Sequence, residues 1–232
     1  MPGEADYLSD PRPERLRAAL TALAEFHLAS ASFPIAENRP VLSPGILARQ
    51  ERLRALEQGG LDRLEGAMAV GGWPEFEDLA RRLTTLFPRA APDIGARLGA
   101  AAQFDVQLQP CVGDIWHDHV LFEDARVTGL VDFGAMKPEN VAIDVARLLG
   151  SMAGNDISGW QDGLAAYEAV RTISRAERSL VIAFDLSGVL LSGFNWIEWI
   201  YVDRRMFENR PAILQRLDGL VARLEGLVDM EP

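Results

Sequence analysis

The spacing of apolar residues predicts helices over most of the chain, on both sides of one short region with strand periodicity. Leu16, Leu20 and Leu23 recur at intervals of three or four residues, as on one face of a helix, after a cap-like start at Ser9. After a polar connector at residues 32–44, helical spacing returns and continues to about residue 102. The apolar residues of these helices are Leu47, Leu53, Leu56, Leu61, Leu64, Met68, Leu79, Leu83 and Leu86, with breaks expected at Gly59-Gly60 and Gly71-Gly72.

The apolar period then changes from that of a helix to that of a strand. Phe104, Val106 and Leu108 alternate with polar residues, which predicts one strand over residues 104–109. Two short apolar runs, at residues 120–122 and 127–131, predict two further strands. The polar residues 123–126 between them predict a hairpin turn.

Helical spacing resumes near Asn140 and continues to the end of the sequence. Residues 180–202 are the most apolar stretch, which we interpret as a buried core helix. The last helix has one apolar face, formed by Ile213, Leu214, Leu217, Val221, Leu224 and Leu227. The predicted fold class is therefore α+β, predominantly α-helical, with one small β-hairpin.

Composition and charge narrow the possible partners. The chain has 232 residues, 48% of them hydrophobic, which is enough for one large domain or two small ones with a substantial core. Its formal net charge of -11 argues against broad binding to nucleic acid or to an anionic membrane. The negative electrostatic field of such a protein suits a polar or cationic small molecule, although many proteins that bind no such molecule are equally acidic.

Cysteine content and the start of the sequence indicate a cytoplasmic protein. The single cysteine, Cys111, excludes an internal disulfide framework, and we interpret it as a small core residue. The first residues lack the basic segment and the following apolar run that mark a secretory signal. Asp185 and Glu198 interrupt the apolar stretch at residues 180–202, which disfavours a membrane span.

The candidate chemistry lies in the polar residues that flank the predicted hairpin. Asp114 and His119 precede its first strand, and Asp132 follows its second. Closure of the hairpin is expected to return the chain from Asp132 to the neighbourhood of Asp114 and His119. Two carboxylates and an imidazole would then share one small volume.

Two carboxylates meet the needs of phosphoryl transfer. One orients the attacking hydroxyl and accepts its proton, and the other holds a divalent cation on the nucleotide phosphates. We assign the first role to Asp114 and the second to Asp132. Gly134 is expected to let the backbone turn sharply beside the metal.

These residues resemble a known motif. The family of aminoglycoside phosphotransferases and choline kinases has the pattern H-G-D-x-x-x-x-N, followed by a hairpin and D-F-G. Here the corresponding residues are Val112, Gly113, Asp114 and His119, then Asp132, Phe133 and Gly134. The resemblance implies a protein-kinase-like C-terminal lobe, in which a small hairpin carries the catalytic and D-F-G loops, and it implies ATP or another NTP with Mg²⁺ or Mn²⁺ as cofactors.

A second sequence motif of the family lies at the start of a helix that supports the catalytic loop. Asp144 and Arg147 resemble its D-x-A-R helix start. The resemblance implies that Asp144 holds the catalytic loop from below, with structural roles for Gly113 and Arg147. Because Asp144 and Arg147 are one helical turn apart, a local ion pair between them is the alternative.

The sequence departs from the motif at two positions. Val112 replaces the usual histidine, so a supporting hydrogen bond is missing or replaced. His119 replaces the usual metal-binding asparagine, and imidazole favours Mn²⁺ or Zn²⁺ over Mg²⁺ more than an amide oxygen does. His119 is therefore a metal ligand or phosphate contact, or it merely hydrogen-bonds the loop.

The resemblance also implies a lobe that this sequence does not contain. Met1 to Glu4 resemble the end of the family's interlobe hinge, and the helix with Phe26 and His27 resembles the one that follows it. Lys137 is the only lysine, and no phosphate-binding G-x-x-x-x-G-K-[ST] motif is present. The expected partners are an N-terminal nucleotide-clamping lobe and a small-molecule acceptor. The chain is then either part of a longer kinase or a naturally reduced relative.

The acceptor is not identifiable from the sequence. Asp185, Glu198 and Asp203 on late helices are candidates for binding a cationic acceptor, with solvated or paired carboxylates as the alternative. Two other functions stay open: a non-catalytic kinase-like binding module, and a metal hydrolase built on His117 and His119. We interpret His27 as a hydrogen-bonded core histidine.

Overall fold

The computed structural model describes residues 7–8, 10–36, 39–69 and 73–229. The expectations for Met1 to Glu4, Ser9 and Gly71-Gly72 lie outside these residues. The helices are α1 (Pro13–Ser30), α2 (Pro44–Ala55), α3 (Leu61–Met68), α4 (Pro74–Ala101), α5 (Ala142–Ala153), α6 (Ile157–Glu168), α7 (Arg175–Ile197) and α8 (Arg210–Asp229). The strands are β1 (Val41–Leu42), β2 (Asp105–Val106), β3 (Gln109–Cys111), β4 (Val120–Glu123), β5 (Arg126–Leu130) and β6 (Lys137–Glu139).

The chain forms two compact units. The first comprises residues 1–46 and 100–185, and the second comprises residues 47–99 and 186–232, in each case as far as they are described. The first unit contains α1, all six described strands, α5 and α6. Its core is apolar and includes Leu20, Leu23, Ile115, Val145, Leu148 and Tyr167.

The strands of the first unit are short and pair only in twos. In the described residues β1 pairs with β2, β3 with β6, and β4 with β5, all antiparallel. The prediction of one strand over residues 104–109 was wrong, because that segment divides between β2 and β3, which have different partners. The sequence analysis also missed β1 and β6, whose two and three residues are too few to show a period.

The hairpin of β4 and β5 lies where the apolar runs predicted two strands. Its register pairs Val120 with Leu130 and Glu123 with Arg126. Asp124 takes a left-handed conformation at the turn, with φ +53°, which aspartate tolerates better than most residues. The side chain of Arg15 on α1 donates a hydrogen bond to the Asp124 carbonyl at 2.7 Å, so α1 fixes the tip of the hairpin.

The second unit contains helices and no strand among its described residues, with a non-helical segment at residues 203–209. Phe87 and Phe194 pack edge to face, with ring centroids 5.3 Å apart, and Phe76 and Leu83 are fully buried. The predicted break between α2 and α3 occurs at Gln58 and Gly59, which have non-helical backbone angles. The buried face of α8 consists of Ile213, Leu217, Val221, Leu224 and Val228, close to the predicted face.

The predicted apolar helix is present as α7 and its π-helical continuation, Glu198–Val202. Over Arg175–Val202 this segment has a mean hydropathy of 1.6 in its most apolar window, of which 61% is buried within the fold. Its length and composition would suffice to cross a membrane, but core helices of soluble proteins have the same properties.

Candidate active site

The loop that carries Asp114 is held by a buried carboxylate beneath it. Asp144, in the first turn of α5, is 0% exposed. One of its oxygens accepts a hydrogen bond from the Val112 amide and the other from the Gly113 amide, each at 2.7 Å. A carboxylate that accepts two backbone donors in an apolar core fixes both the position and the direction of that backbone.

His27 completes the hydrogen bonding of this carboxylate. Its Nε2 lies 3.1 Å from Asp144 Oδ2, and its Nδ1 lies 2.7 Å from the Tyr167 hydroxyl. Burial lowers the pKa of His27, partly offset by Asp144, so the imidazole is neutral near pH 7. Nε2–H then donates to Asp144, and Nδ1 accepts from Tyr167, whose own pKa is raised by burial. The interpretation of His27 as a hydrogen-bonded core residue is confirmed.

The same helix that buries Asp144 presents a partner to Asp114. Arg147 lies one turn further along α5, and its Nη2 is 2.8 Å from Asp114 Oδ1. The alternative of an Asp144–Arg147 ion pair was wrong, because among the described residues the Arg147 guanidinium pairs with Asp114. Asp114 is 59% exposed, so its carboxylate is oriented by the protein and open to solvent.

Gly113 is required by both its conformation and its surroundings. Its φ is +84°, and a Cβ at this position would lie 2.5 Å from the Ala135 carbonyl oxygen and 3.7 Å from Cε of Lys137. Two features follow. The Asp114 loop packs directly on the segment after Asp132, and the only lysine of the chain lies beside it. The sequence analysis gave Lys137 no role.

Asp132 follows β5 in a strained conformation. Its φ of +62° is left-handed, and its side chain is 64% exposed. Gly134 lies in the tight 3₁₀ turn Phe133–Ala135 that follows, and the left-handed conformation falls on Asp132 rather than on this glycine. The Gly134 amide lies 3.4 Å from Asp132 Oδ1, a weak hydrogen bond. Strained non-glycine residues of this kind concentrate at functional sites.

His119 and Asp132 lie side by side. Nε2 of His119 is 3.6 Å from Oδ2 of Asp132, and the Val131 amide donates to the His119 carbonyl at 2.9 Å. His119 ends the short 3₁₀ helix His117–His119 that leads into β4. Trp116 donates its indole N–H to the same Nε2 at 2.8 Å, a contact that the sequence analysis missed. This hydrogen bond cannot be predicted from the spacing of residues in the sequence, because it depends on the tight 3₁₀ turn.

This pair has the chemistry of a divalent metal site. A carboxylate oxygen and an imidazole nitrogen are both good ligands for Mn²⁺. Their separation of 3.6 Å is compatible with shared coordination of one ion, since metal–ligand bonds are about 2.0–2.2 Å. Nδ1 of His119 is buried without a hydrogen-bond partner among the described residues, so this ring is not fully satisfied by the protein.

Another group of potential ligands is not suited to a metal. His27, Cys111 and Asp144 have donor atoms within 4.8 Å of one another. All three are buried, both Asp144 oxygens already accept hydrogen bonds, and burial raises the pKa of the Cys111 thiol. Cys111 is thus the core residue that its isolation in the sequence predicted.

The three acidic residues suggested for acceptor binding have different surroundings. Glu198 is bound by the guanidinium groups of Arg52 on α2 and Arg63 on α3, within the second unit. Its charge is therefore already compensated. Asp203 pairs with Arg205 at 2.9 Å, and Asp185 lies on the part of α7 that belongs to the first unit.

The fold is kinase-like. A choline/ethanolamine kinase family protein from Mesorhizobium loti has a TM-score of 0.59 at 16% identity, over 100% of this chain and 68% of that one. Glucosamine kinase, in complex with glucosamine, ADP and inorganic phosphate, has a TM-score of 0.56 at 17% identity, over 93% and 54%. Aminoglycoside phosphotransferase from Alicyclobacillus acidocaldarius subsp. acidocaldarius has a TM-score of 0.51 at 21% identity, over 99% and 70%.

A family model that matches the sequence also shows to which family the chain belongs. The model of the phosphotransferase enzyme family, APH, matches residues 1–179, and the chain belongs to this family. The match contains Asp114, Asp132 and Asp144. No curated protein sequence matches the chain significantly. The chain spans from 54% to 70% of the length of these three proteins.

Gly113→Ala tests the packing of the two loops. The new Cβ meets the Ala135 carbonyl and forces a left-handed φ on alanine, so we expect a loss of roughly 1–3 kcal/mol in the free energy of unfolding. Gly59→Ala is the matched control, because Gly59 also has a positive φ, +97°, and open space around it. It should lose only about 1 kcal/mol. Urea denaturation measures both, and equal losses would contradict the predicted clash.

The lowered pKa of His27 makes stability depend on pH. The unfolded chain protonates this histidine near its ordinary pKa of about 6.5, whereas the folded protein does so only at lower pH. Stability should therefore fall as pH decreases from 7 to 5. We expect His27→Gln to be less stable than wild type at pH 7.5, with a smaller difference at pH 5.5. Parallel melting-temperature profiles for the two proteins would contradict this.

Proposed function

We propose that this protein is a small-molecule phosphotransferase, which transfers the γ-phosphoryl group of ATP or another NTP to a hydroxyl of a polar acceptor. Asp114 is the catalytic base, and Asp132 with His119 forms the site for Mg²⁺ or Mn²⁺. The observation that carries the proposal is the loop held by Asp144, which presents the solvent-open, Arg147-oriented carboxylate of Asp114. Membership of the phosphotransferase family supports the reaction class.

Asp114 acts on the acceptor. Its carboxylate would accept a hydrogen bond from the acceptor hydroxyl, orient the oxygen towards the γ-phosphorus and take the proton as the new O–P bond forms. The bond from the γ-phosphorus to the bridging oxygen breaks, and the nucleoside diphosphate leaves. Arg147 holds one carboxylate oxygen at 2.8 Å and leaves the other for the acceptor. Because the backbone amides before Asp114 are fixed by a buried carboxylate, the base needs no reorganisation when the acceptor binds.

Asp132 and His119 act on the nucleotide side. A divalent ion held by Oδ2 of Asp132 and Nε2 of His119 would neutralise charge on the nucleotide phosphates. The exposed carboxylate of Asp132, 64% accessible, is open to a cation that arrives with a nucleotide. Lys137 is a further positive charge next to the Asp114 loop, and we propose that it stabilises the transferred phosphoryl group.

The nucleotide clamp is supplied by an N-terminal lobe in this proposal, and the chain acts as the C-terminal, acceptor-binding lobe. The support is twofold: the chain spans only part of the length of the similar kinases, and Lys137 is its sole lysine. Asp185, Glu198 and Asp203 stay the candidates for binding a cationic acceptor, and Glu198 and Asp203 would have to release their arginine partners to do so. The glucosamine kinase structure, with its amino sugar and ADP, supports an amine-bearing polar acceptor.

Asp114→Asn should abolish phosphoryl transfer and leave nucleotide binding intact. Loss of a positioned base commonly lowers turnover by two to four orders of magnitude. The measurement is ADP release in the protein with its nucleotide-binding lobe present, with amino sugars, aminoglycosides and amino alcohols as acceptors. Asp118→Asn removes the same charge from the same loop and serves as the control. Turnover by Asp114→Asn equal to that of the control would refute the assignment.

Asp132→Asn should weaken Mn²⁺ binding by at least tenfold, because it removes a charged ligand. Asp124→Asn is a close control, since Asp124 also has a left-handed backbone and lies at the opposite end of β5. Isothermal titration with MnCl₂ compares the two variants and needs no acceptor. Equal affinities in both variants would remove Asp132 from the metal site.

A non-catalytic binding module is the second candidate. Two observations favour it: the motif histidine is replaced by Val112, and Nε2 of His119 is already hydrogen-bonded by Trp116. The two functions differ in their response to nucleotide. A rise in melting temperature with ATP and Mn²⁺ beyond that with Mn²⁺ alone favours the enzyme, whereas no rise in the protein with its nucleotide-binding lobe favours the module.

A further inference from the structure

The indole of Trp116 is hydrogen-bonded to the ring nitrogen of His119 that faces Asp132. Trp116 Nε1–H donates to His119 Nε2 at 2.8 Å, and the two rings are perpendicular with centroids 5.9 Å apart. An indole N–H is only a donor, so Nε2 must carry a lone pair. The neutral ring then bears its proton on Nδ1, which is buried and has no hydrogen-bond partner in the part of the chain that the structure describes.

The same lone pair is the one a metal would need. Nε2 lies 3.6 Å from Asp132 Oδ2, so it is the nitrogen positioned to share an ion with that carboxylate. Nδ1 is not an alternative ligand atom, because it is buried in the protein and protonated in this tautomer. An sp² nitrogen offers one lone pair, and it cannot bind an indole N–H and a metal ion together.

We propose that Trp116 competes with the divalent ion for His119, and thereby sets the affinity and the preference of the metal site. In the metal-free protein the indole N–H is hydrogen-bonded to Nε2, and coordination of a metal ion by His119 requires that this hydrogen bond break. The inference rests on the proposed role of Asp132 and His119 as metal ligands. It assigns to Trp116 a function that the motif itself does not contain.

Competition with the Trp116 indole should affect the binding of Mn²⁺ and Mg²⁺ differently. Mg²⁺ prefers oxygen ligands and gains little from an imidazole, so it has little to offset the lost indole hydrogen bond. Mn²⁺ gains more from nitrogen and displaces the indole more readily. Mg²⁺ can bind through the Asp132 carboxylate and leave the indole hydrogen bond in place, so Trp116 penalises Mn²⁺ more than Mg²⁺. Removal of the indole N–H should therefore help Mn²⁺ more.

Trp116→Phe tests the competition directly. It removes the N–H and keeps an aromatic ring against the loop. We expect Mn²⁺ to bind about three- to tenfold more tightly, which corresponds to one net hydrogen bond, with a smaller gain for Mg²⁺. Trp160→Phe is the matched control, because its indole donates to the Gly154 carbonyl at 2.9 Å rather than to an imidazole. Isothermal titration with MnCl₂ and MgCl₂ should give wild-type affinities for that control.

His119→Ala completes a double-mutant cycle. It should weaken Mn²⁺ binding, and Trp116→Phe should then have no further effect in the His119→Ala background. Unchanged or weaker Mn²⁺ binding in Trp116→Phe would overturn the competition while leaving the metal site intact. Wild-type affinity in His119→Ala, with a loss in Asp132→Asn, would remove His119 and with it the inference. Wild-type affinity in Asp132→Asn would instead remove the proposed metal site.

A measurement on the wild-type chain avoids any dependence on how the variants fold. The indole N–H proton of Trp116, assigned by its absence in Trp116→Phe, should move upfield when diamagnetic Zn²⁺ fills the site, because its hydrogen bond is lost. The indole proton of Trp160 should not move. A Trp116 resonance that stays unchanged to saturation with Zn²⁺ would refute the proposal.

Discussion

The buried carboxylate of Asp144 is the constraint on which the candidate site depends. It lies in the core with no access to solvent, and such a charge is tolerated only when donors surround it. The donors are the Val112 and Gly113 amides and the His27 imidazole. The need to satisfy one buried charge therefore determines the path of the backbone just before Asp114. Stability and the geometry of the candidate site have a common origin here.

Two short loops carry the candidate site residues, and backbone contacts rather than side chains link these loops. Gly113 has no room for a side chain against the Ala135 carbonyl, and the Val131 amide is bonded to the His119 carbonyl. These contacts explain how strands of two to five residues can position a site. The helices α1, α5 and α6 provide His27, Asp144 and Tyr167, so the rigid elements hold the loops from below.

The sequence was most informative where a period extended over many residues. The helices, the break at Gly59 and the two strands of the hairpin follow from apolar spacing, and the motif indicated Asp114, Asp132 and Asp144. Local sequence patterns did not predict hydrogen bonds and ion pairs between residues that are distant in the sequence. The polar residue Gln109 is buried because its amide donates to the His27 carbonyl, and Glu198 is compensated by arginines on two other helices. Trp116 and the left-handed Asp132 likewise depend on the folded loop.

The spacing of Asp144 and Arg147 on α5 has a consequence for how this region can change. The two residues are three apart, so both lie on one face of the helix, where Asp144 binds the loop backbone and Arg147 binds Asp114 of the same loop. Each inserted or deleted residue turns a helix by about 100°. A length change between them would therefore uncouple the buried anchor from the surface arginine. This turn of helix is therefore closed to insertion and deletion.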